Sequence, residues 1–274
     1  MAELPEIYQL SEQMQESLIG KQIKHAEIIQ EKCCNVSERE FASRVIQSKV
    51  TGVTNKGKWI ILSLSNEEYM LISLGMGGDL LYFQEASAHP NQEKYQFILR
   101  FHDGTGFSVK FWWFGKVYVA NGNQLKDEKH TKDIALTPFD EAFTYDYFKQ
   151  LFDGKKAGIK AFLLNQKNVG GIGNMYIHDI LFKSRLHPTK KVSELSEDDL
   201  KKLYDTIRER LLESLSKGGF SLEKDFYGQN GRYTTDYFLI GYKKGEPCPV
   251  CGMKIQSIKT GSTTSFICPA CQKD

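Results

Sequence analysis

Four cysteines near the C-terminus constrain this chain more than any other feature: Cys248-x-x-Cys251 and Cys268-x-x-Cys271, with sixteen residues between the pairs. Each pair can turn as a knuckle, so that all four sulfurs reach one tetrahedral zinc ion at about 2.3 Å. Pro249 and Pro269 lie inside the knuckles and Gly252 follows the first, which suits tight turns. Disulfides would need an oxidising compartment, yet the first twenty residues carry Glu3, Glu6, Glu12 and Glu16 where a secretion signal has basic and then apolar residues. Thiol redox chemistry of the Cys-x-x-Cys kind needs one such pair, not two. The expected cofactor is therefore one structural Zn2+ held by Cys248, Cys251, Cys268 and Cys271. Such a ribbon serves either as a plain staple or as a nucleic-acid finger. Cys33 and Cys34 have no nearby ligand partners and read as half-buried thiols.

Charge is divided along the chain although the net value is only +2. Residues 1–150 hold 16 Lys and Arg against 20 Asp and Glu, and residues 151–274 hold 20 against 14. Between Gly154 and Lys191, the basic residues Lys155, Lys156, Lys160, Lys167, Lys183, Arg185, Lys190 and Lys191 face a single acid, Asp179. This run fits either a polyanion partner or a solvated helix face. With 274 residues, 41% of them apolar, the chain can bury a core and suits two domains. No run reaches the roughly 18 apolar residues of a membrane span. A soluble, cytoplasmic protein is expected.

Ile7, Leu10, Met14 and Leu18 fall three and four apart, which predicts an amphipathic helix over Leu4–Ile19. Strand-like runs follow at Lys58–Leu64, Tyr69–Leu74, Tyr95–Phe101 and Phe107–Val119, broken by glycine-rich turns, and predict an antiparallel sandwich or barrel. Residues from about 120 to 140 are polar and aperiodic. Helical patterns then cover Tyr145–Phe152, Ile159–Leu164, Ile172–Phe182 and Glu197–Leu215. Gly218–Thr235 reads as an exposed, mobile loop.

Ala2 is small enough that Met1 would normally be trimmed, leaving an α-amine beside Glu3. With an ordinary pKa of about 7.7 to 8.0, such an amine is partly neutral at cellular pH and can attack a sugar C1′; the alternative is an ordinary frayed terminus. The sequence Ala2-Glu3-Leu4-Pro5-Glu6 resembles the start of the formamidopyrimidine-DNA glycosylase and endonuclease VIII family, whose mature chains begin Pro-Glu-Leu-Pro-Glu. The resemblance recurs at Asn55-Lys56-Gly57-Lys58-Trp59, at Leu74-Gly75-Met76-Gly77-Gly78, at Gly170-Gly171-Ile172-Gly173-Asn174-Met175-Tyr176 and at Cys268-Pro-Ala-Cys271-Gln272.

The resemblance implies an α+β fold: an N-terminal helix plus antiparallel β-sandwich, then a helical helix-two-turn-helix domain with a four-cysteine zinc ribbon. The expected divisions are 1–120 for the catalytic β-sandwich domain, 121–144 for a linker, 145–240 for the helix-two-turn-helix domain and 241–274 for the ribbon. It further implies Ala2 as nucleophile, Glu3 as general acid and base, and Glu6 as support for the helix and terminus. Lys58, Lys160 and Asn174 would contact phosphates, with the Ile172 helix N-terminus facing the same backbone. Met76 would wedge into the gap left by a flipped base. The implied partner is double-stranded damaged DNA, bound by a monomer at the nucleoid.

Three departures from the family pattern bear on chemistry and readout. Ala2 replaces proline, so a primary amine must form the Schiff base and the later eliminations should be weak. Trp112 replaces the arginine that pairs with the orphaned base, while Phe114 survives as a wedge; stacking remains but a bidentate pair is lost. In the ribbon, Thr263 lies near the place of a phosphate-gripping arginine. The expected activity is excision of a damaged base other than 8-oxoguanine opposite cytosine, with a weak AP lyase step. The alternatives are a catalytically silent reader of damaged or distorted DNA, or a zinc-ribbon interaction module unrelated to DNA.

Overall fold

The computed structural model describes residues 2–84 and 94–273 of the chain. It consists of two compact units, Met1–Asp133 with Gly218–Arg232, and Ile134–Lys217 with Tyr233–Asp274. No helix among the described residues is long and apolar enough to cross a membrane.

The first unit opens with α1, Leu4–Leu18, whose Ile7, Leu10, Met14 and Leu18 are all buried. Pro5 stands in its first turn, where a missing N–H leaves no helix bond unmade. The strands are β1 Ile23–Ile28, β2 Val50–Lys56, β3 Trp59–Leu64, β4 Glu68–Ser73, β5 Asp79–Phe83, β6 Phe97–Phe101, β7 Gly106–Lys110 and β8 Lys116–Asn121. They form two antiparallel sheets, ordered β1-β6-β7-β5 and β2-β3-β4-β8. In the second sheet Leu62, Met70 and Val119 lie in one row and Ile60, Ile72 and Val117 in another. In the first sheet Ile28, Phe97, Val109 and Leu80 align in the same way. These rows share one core, so the alternating apolar positions of both sheets are buried together. α2, Glu38–Val45, starts on Ser37, whose hydroxyl accepts the Glu40 N–H. After β8, α3 (Gly122–Asp127) is closed by a reciprocal Asn121–Gln124 cap within the polar stretch.

Two elements differ from the sequence reading in this unit. Phe107–Val119 is not one strand: it divides into β7 and β8 around residues 111–115, where Phe114 takes φ +63° and Gly115 packs on the Phe111 ring. The segment after Gly218 is not a free loop. Phe226 is fully buried, its carbonyl accepts from Tyr82 N and its N–H donates to Gln13 Oε1.

The second unit contains α4 Tyr145–Gln150, α5 Ile159–Leu164, α6 Ile177–Lys183 and α7 Glu197–Ser216, with a hairpin of β9 Gln256–Thr260 and β10 Thr263–Ile267. α7 begins at Ser196 with a capping box to Asp199, and three acids in its first turn oppose the positive end of the helix dipole. Buried Phe148, Phe152 and Phe162 pack in sequence, the first pair edge to face at 5.0 Å and the second tilted at 4.5 Å. α6 starts at Ile177, not at Ile172. Gly171 holds φ +89° and a Cβ on Gly170 would sit 2.5 Å from the Ala135 carbonyl, while the Ile172 carbonyl accepts from Gln166 Nε2 at 2.9 Å, outside any helix. Ile172 is consequently buried core, not a helix N-terminus facing outward.

Candidate functional site

Ala2 and Glu3 are buried at the start of α1. The backbone N–H of Glu3 donates to Glu6 Oε2 at 2.9 Å, and Glu6 Oε1 accepts the Phe220 N–H at 2.9 Å. One carboxylate thus ties the entry of α1 to the returning segment of the same unit. Gly219, at φ +81°, is needed there: a Cβ would lie 2.9 Å from Glu6 Cγ. Met1, whose removal the proposed chemistry requires, lies outside the described residues.

Lys58 follows Gly57 in the turn between β2 and β3; Gly57 takes φ +58°. The lysine is half-buried and pairs with no carboxylate among the described residues. Met76 and the 112–114 loop are joined by two backbone bonds, Met76 N to Trp113 O at 2.8 Å and Trp112 N to Met76 O at 3.0 Å. Gly75 permits the approach, since a Cβ would fall 2.2 Å from the Trp113 carbonyl. The result is an exposed apolar patch: Met76 is 39% exposed, Trp112 70%, Trp113 60% and Phe114 77%. Exposed apolar groups on a backbone pinned in this way form a candidate binding surface. Trp113 escaped the sequence reading because a single tryptophan beside a motif has no periodicity to distinguish it.

Lys160, on α5, does not stand on the surface. It is 2% exposed, and its ammonium donates to Thr264 O at 2.7 Å, Ser265 Oγ at 2.8 Å and Thr260 Oγ1 at 3.4 Å. Burial lowers its pKa to about 8. The geometry is that of a clasp on the β9–β10 hairpin, which differs from the phosphate contact implied by the family pattern. His178 on α6 lies close enough to feel this charge; burial and then Lys160 push its pKa down to about 3. Asn174 is half-buried, and its Oδ1 has no hydrogen-bond partner among the described residues. Thr263 sits at the hairpin turn and donates to Thr260 O. Asp179, the lone acid of the basic run, accepts backbone N–H groups from Leu239, Ile240 and Gly241 and pairs with Arg210 at 3.4 Å. Its role is internal support, which no charge count could reveal.

The sulfurs of Cys248, Cys251, Cys268 and Cys271 lie within 4.8 Å of one another. Cys248 and Cys271 are 3.9 Å apart and Cys251 and Cys268 are 3.4 Å apart. Four zinc–sulfur bonds of about 2.3 Å in a tetrahedron place the sulfurs about 3.8 Å apart, so the donor set fits one structural zinc. Gln272 fixes the second knuckle: its Oε1 accepts from Cys268 N and its Nε2 donates to Leu186 O.

The fold and these residues define a sandwich, helix-two-turn-helix and zinc-ribbon protein. The chain matches the models for the formamidopyrimidine-DNA glycosylase N-terminal domain over residues 1–112, the formamidopyrimidine-DNA glycosylase H2TH domain over 134–225 and the zinc finger found in FPG and IleRS over 245–273. It is 30% identical to the formamidopyrimidine-DNA glycosylase of Pelotomaculum thermopropionicum, covering 100% of this chain and 99% of that one. With the enzyme of the same name from Roseiflexus sp. the identity is 31%, and each chain is covered in full. Among solved structures, Lactococcus lactis Fpg in complex with DNA containing an abasic site superposes with a TM-score of 0.88 at 25% identity, over 100% of both chains. The chain belongs to the formamidopyrimidine-DNA glycosylase family.

Proposed function

We propose that this protein is a DNA glycosylase of base excision repair, acting as a monomer on damaged double-stranded DNA at the nucleoid. The observation that carries the reading is the carboxylate of Glu3 next to the chain's first residues, with its backbone N–H held by Glu6. The same side chain takes part in the capping box that opens α1, a role Gln can also fill, so Glu3→Gln isolates the chemical role of the acid. Relatives named as formamidopyrimidine-DNA glycosylases, and a neighbour solved with abasic DNA, support the same activity.

In this reading Met1 is trimmed and the neutral amine of Ala2 adds to C1′ of the extruded deoxyribose. The glycosidic electron pair leaves with the damaged base, which takes the proton the amine loses on bonding to C1′, and protonated Glu3 supplies a proton to the ring oxygen as the sugar opens to the Schiff base. The carboxylate can then accept a proton on the way to strand cleavage. The primary amine makes this lyase step the weaker half of the reaction. Lys58 and Asn174 hold phosphates, and Met76 and Phe114 fill the gap left by the base, with Trp112 beside them. Lys160 acts at one remove, by fixing the hairpin that bears Thr263.

Glu3→Gln separates the enzyme from a silent reader. Base release from a panel of damaged duplexes should fall by at least about 100-fold, the usual size of a general acid–base contribution, while duplex affinity is kept. Intact mass should show a chain beginning at Ala2, and borohydride should trap a covalent adduct. Unchanged turnover in the variant, or no base release by the wild type from any lesion, would overturn the reading.

A further inference from the structure

Beside the 112–114 loop the first unit holds an open cavity of about 460 Å3, within the roughly 300–1,000 Å3 of small-molecule pockets. Its walls are aromatic. Trp112 and Trp113 stand nearly perpendicular, with ring centroids 6.4 Å apart at 83°. The Trp59 indole, stacked on the His130 imidazole at 5.8 Å and 28°, lines the same cavity. Lys32 and Lys116 also line the cavity, the Lys116 ammonium donating to the Lys32 carbonyl at 3.4 Å. No aspartate or glutamate does so among the described residues. Flat aromatic walls with two cations and no anion suit a neutral planar ring linked to an anionic group, which is the chemistry of a nucleotide's base and phosphate.

We propose that this cavity receives the nucleotide opposite the lesion, swung out of the duplex; the assignment rests on the glycosylase reading above. Trp112 supplies the reason. An indole has one donor and no acceptor, so it cannot satisfy the pairing edge of an orphaned base left in the stack. Extrusion frees that edge and gives the base a ring to stack on, with the lysines at its phosphate. Every base has a π-face, so the pocket serves all four. Trp113 is then the specificity-determining residue: it makes the enzyme indifferent to the opposite base.

The test uses a duplex with a stable tetrahydrofuran abasic analogue opposite 5-iodouracil, irradiated in complex with the full-length protein. The cross-linked peptide should map to Trp113, Trp59 or His130. Trp113→Ala should weaken binding about tenfold when a base stands opposite the analogue, since stacking on an aromatic ring is worth about 1–3 kcal/mol, and not at all when a second tetrahydrofuran replaces that base. The exposed His130→Ala should do the same more mildly. Adducts confined to Trp112, Phe114 or Met76, or equal losses on the two duplexes, would overturn the proposal while leaving the glycosylase reading intact. Saturable tryptophan quenching by free thymidine monophosphate, without a duplex cross-link, would assign the pocket to free nucleotides and overturn the strand assignment. A wild type that binds no abasic duplex would defeat both readings.

Discussion

Glu6 and Phe220 are 214 positions apart, yet the Glu6 carboxylate accepts the Phe220 N–H at 2.9 Å while its other oxygen holds the N–H of Glu3. The residue that precedes the first helix turn and the segment that returns after the long helix are therefore positioned by one side chain. Glu6→Gln keeps a single acceptor and puts an NH2 where the second stood. One buried N–H is left unpaired, which should lower stability by about 1–3 kcal/mol in urea unfolding. The loosened terminus should also lower single-turnover base release by about 10- to 100-fold, because small misplacements of a nucleophile are costly. Affinity for an abasic-analogue duplex should change little.

By the family resemblance, Trp112 is expected to stand in place of an arginine. Trp112→Arg should restore a bidentate donor for a guanine or, through the orphaned cytosine's acceptors, a preference for lesions opposite cytosine. The expected gain in discrimination is about 1–3 kcal/mol, or roughly 5- to 150-fold in relative kcat/KM across the four opposite bases. Competition assays with matched duplexes read this directly. The loop should tolerate the change, since Trp112 is 70% exposed and its backbone bonds to Met76 do not involve the side chain.

The parts legible in the sequence were those whose cause is local. The buried stripe of α1, the extent of α5 and the four-cysteine centre follow from spacing alone. The rest depends on partners far away in the chain. The helix starts five residues later than the apolar pattern of Ile172–Phe182 predicts; the Ile172 carbonyl takes the Gln166 Nε2 donor from outside the helix, a partner the pattern does not record. The polar, glycine-rich composition after Gly218 suggests freedom, whereas Phe226 is held by Gln13 and Tyr82. Lys160 carried the charge of a phosphate ligand in the sequence, but its burial under the hairpin became visible only once β9 and β10 were in place.

The zinc centre should hold the ribbon and little else. Its six-residue apolar cluster includes three of the cysteines, so loss of the ion removes both the cross-link and the packing around it. Metal-dependent ribbons draw on the order of 10 kcal/mol of binding free energy from the ion. Cys268→Ser, or treatment with a strong chelator, should release one zinc per chain and weaken duplex binding by at least tenfold. Amide exchange should rise in residues 245–273 while the sandwich strands stay protected. Uniform loss of protection would mean that the ion supports more than its own ribbon.

His178 should give the protein an acid sensitivity that a substitution can remove. The ring is buried against Phe266 and Tyr242, and its Nδ1 accepts the Phe266 N–H, so the neutral form is built into the native packing. The charge facing it is the Lys160 ammonium, which together with burial holds its pKa near 3. In the unfolded chain the same group titrates near the ordinary 6.5. Between these values the unfolded state binds the extra proton, so the stability is fully present above about pH 6.5 and is lost as pH falls toward the native value. From pH 8 to pH 5.5 this one group should remove on the order of 1 kcal/mol. His178→Gln keeps an acceptor for Phe266 and has nothing to titrate. Urea unfolding across that range, with zinc in excess, should show the wild type losing about that much more stability than the variant, and parallel pH profiles would mean that the ring is already protonated or already exposed in the native protein.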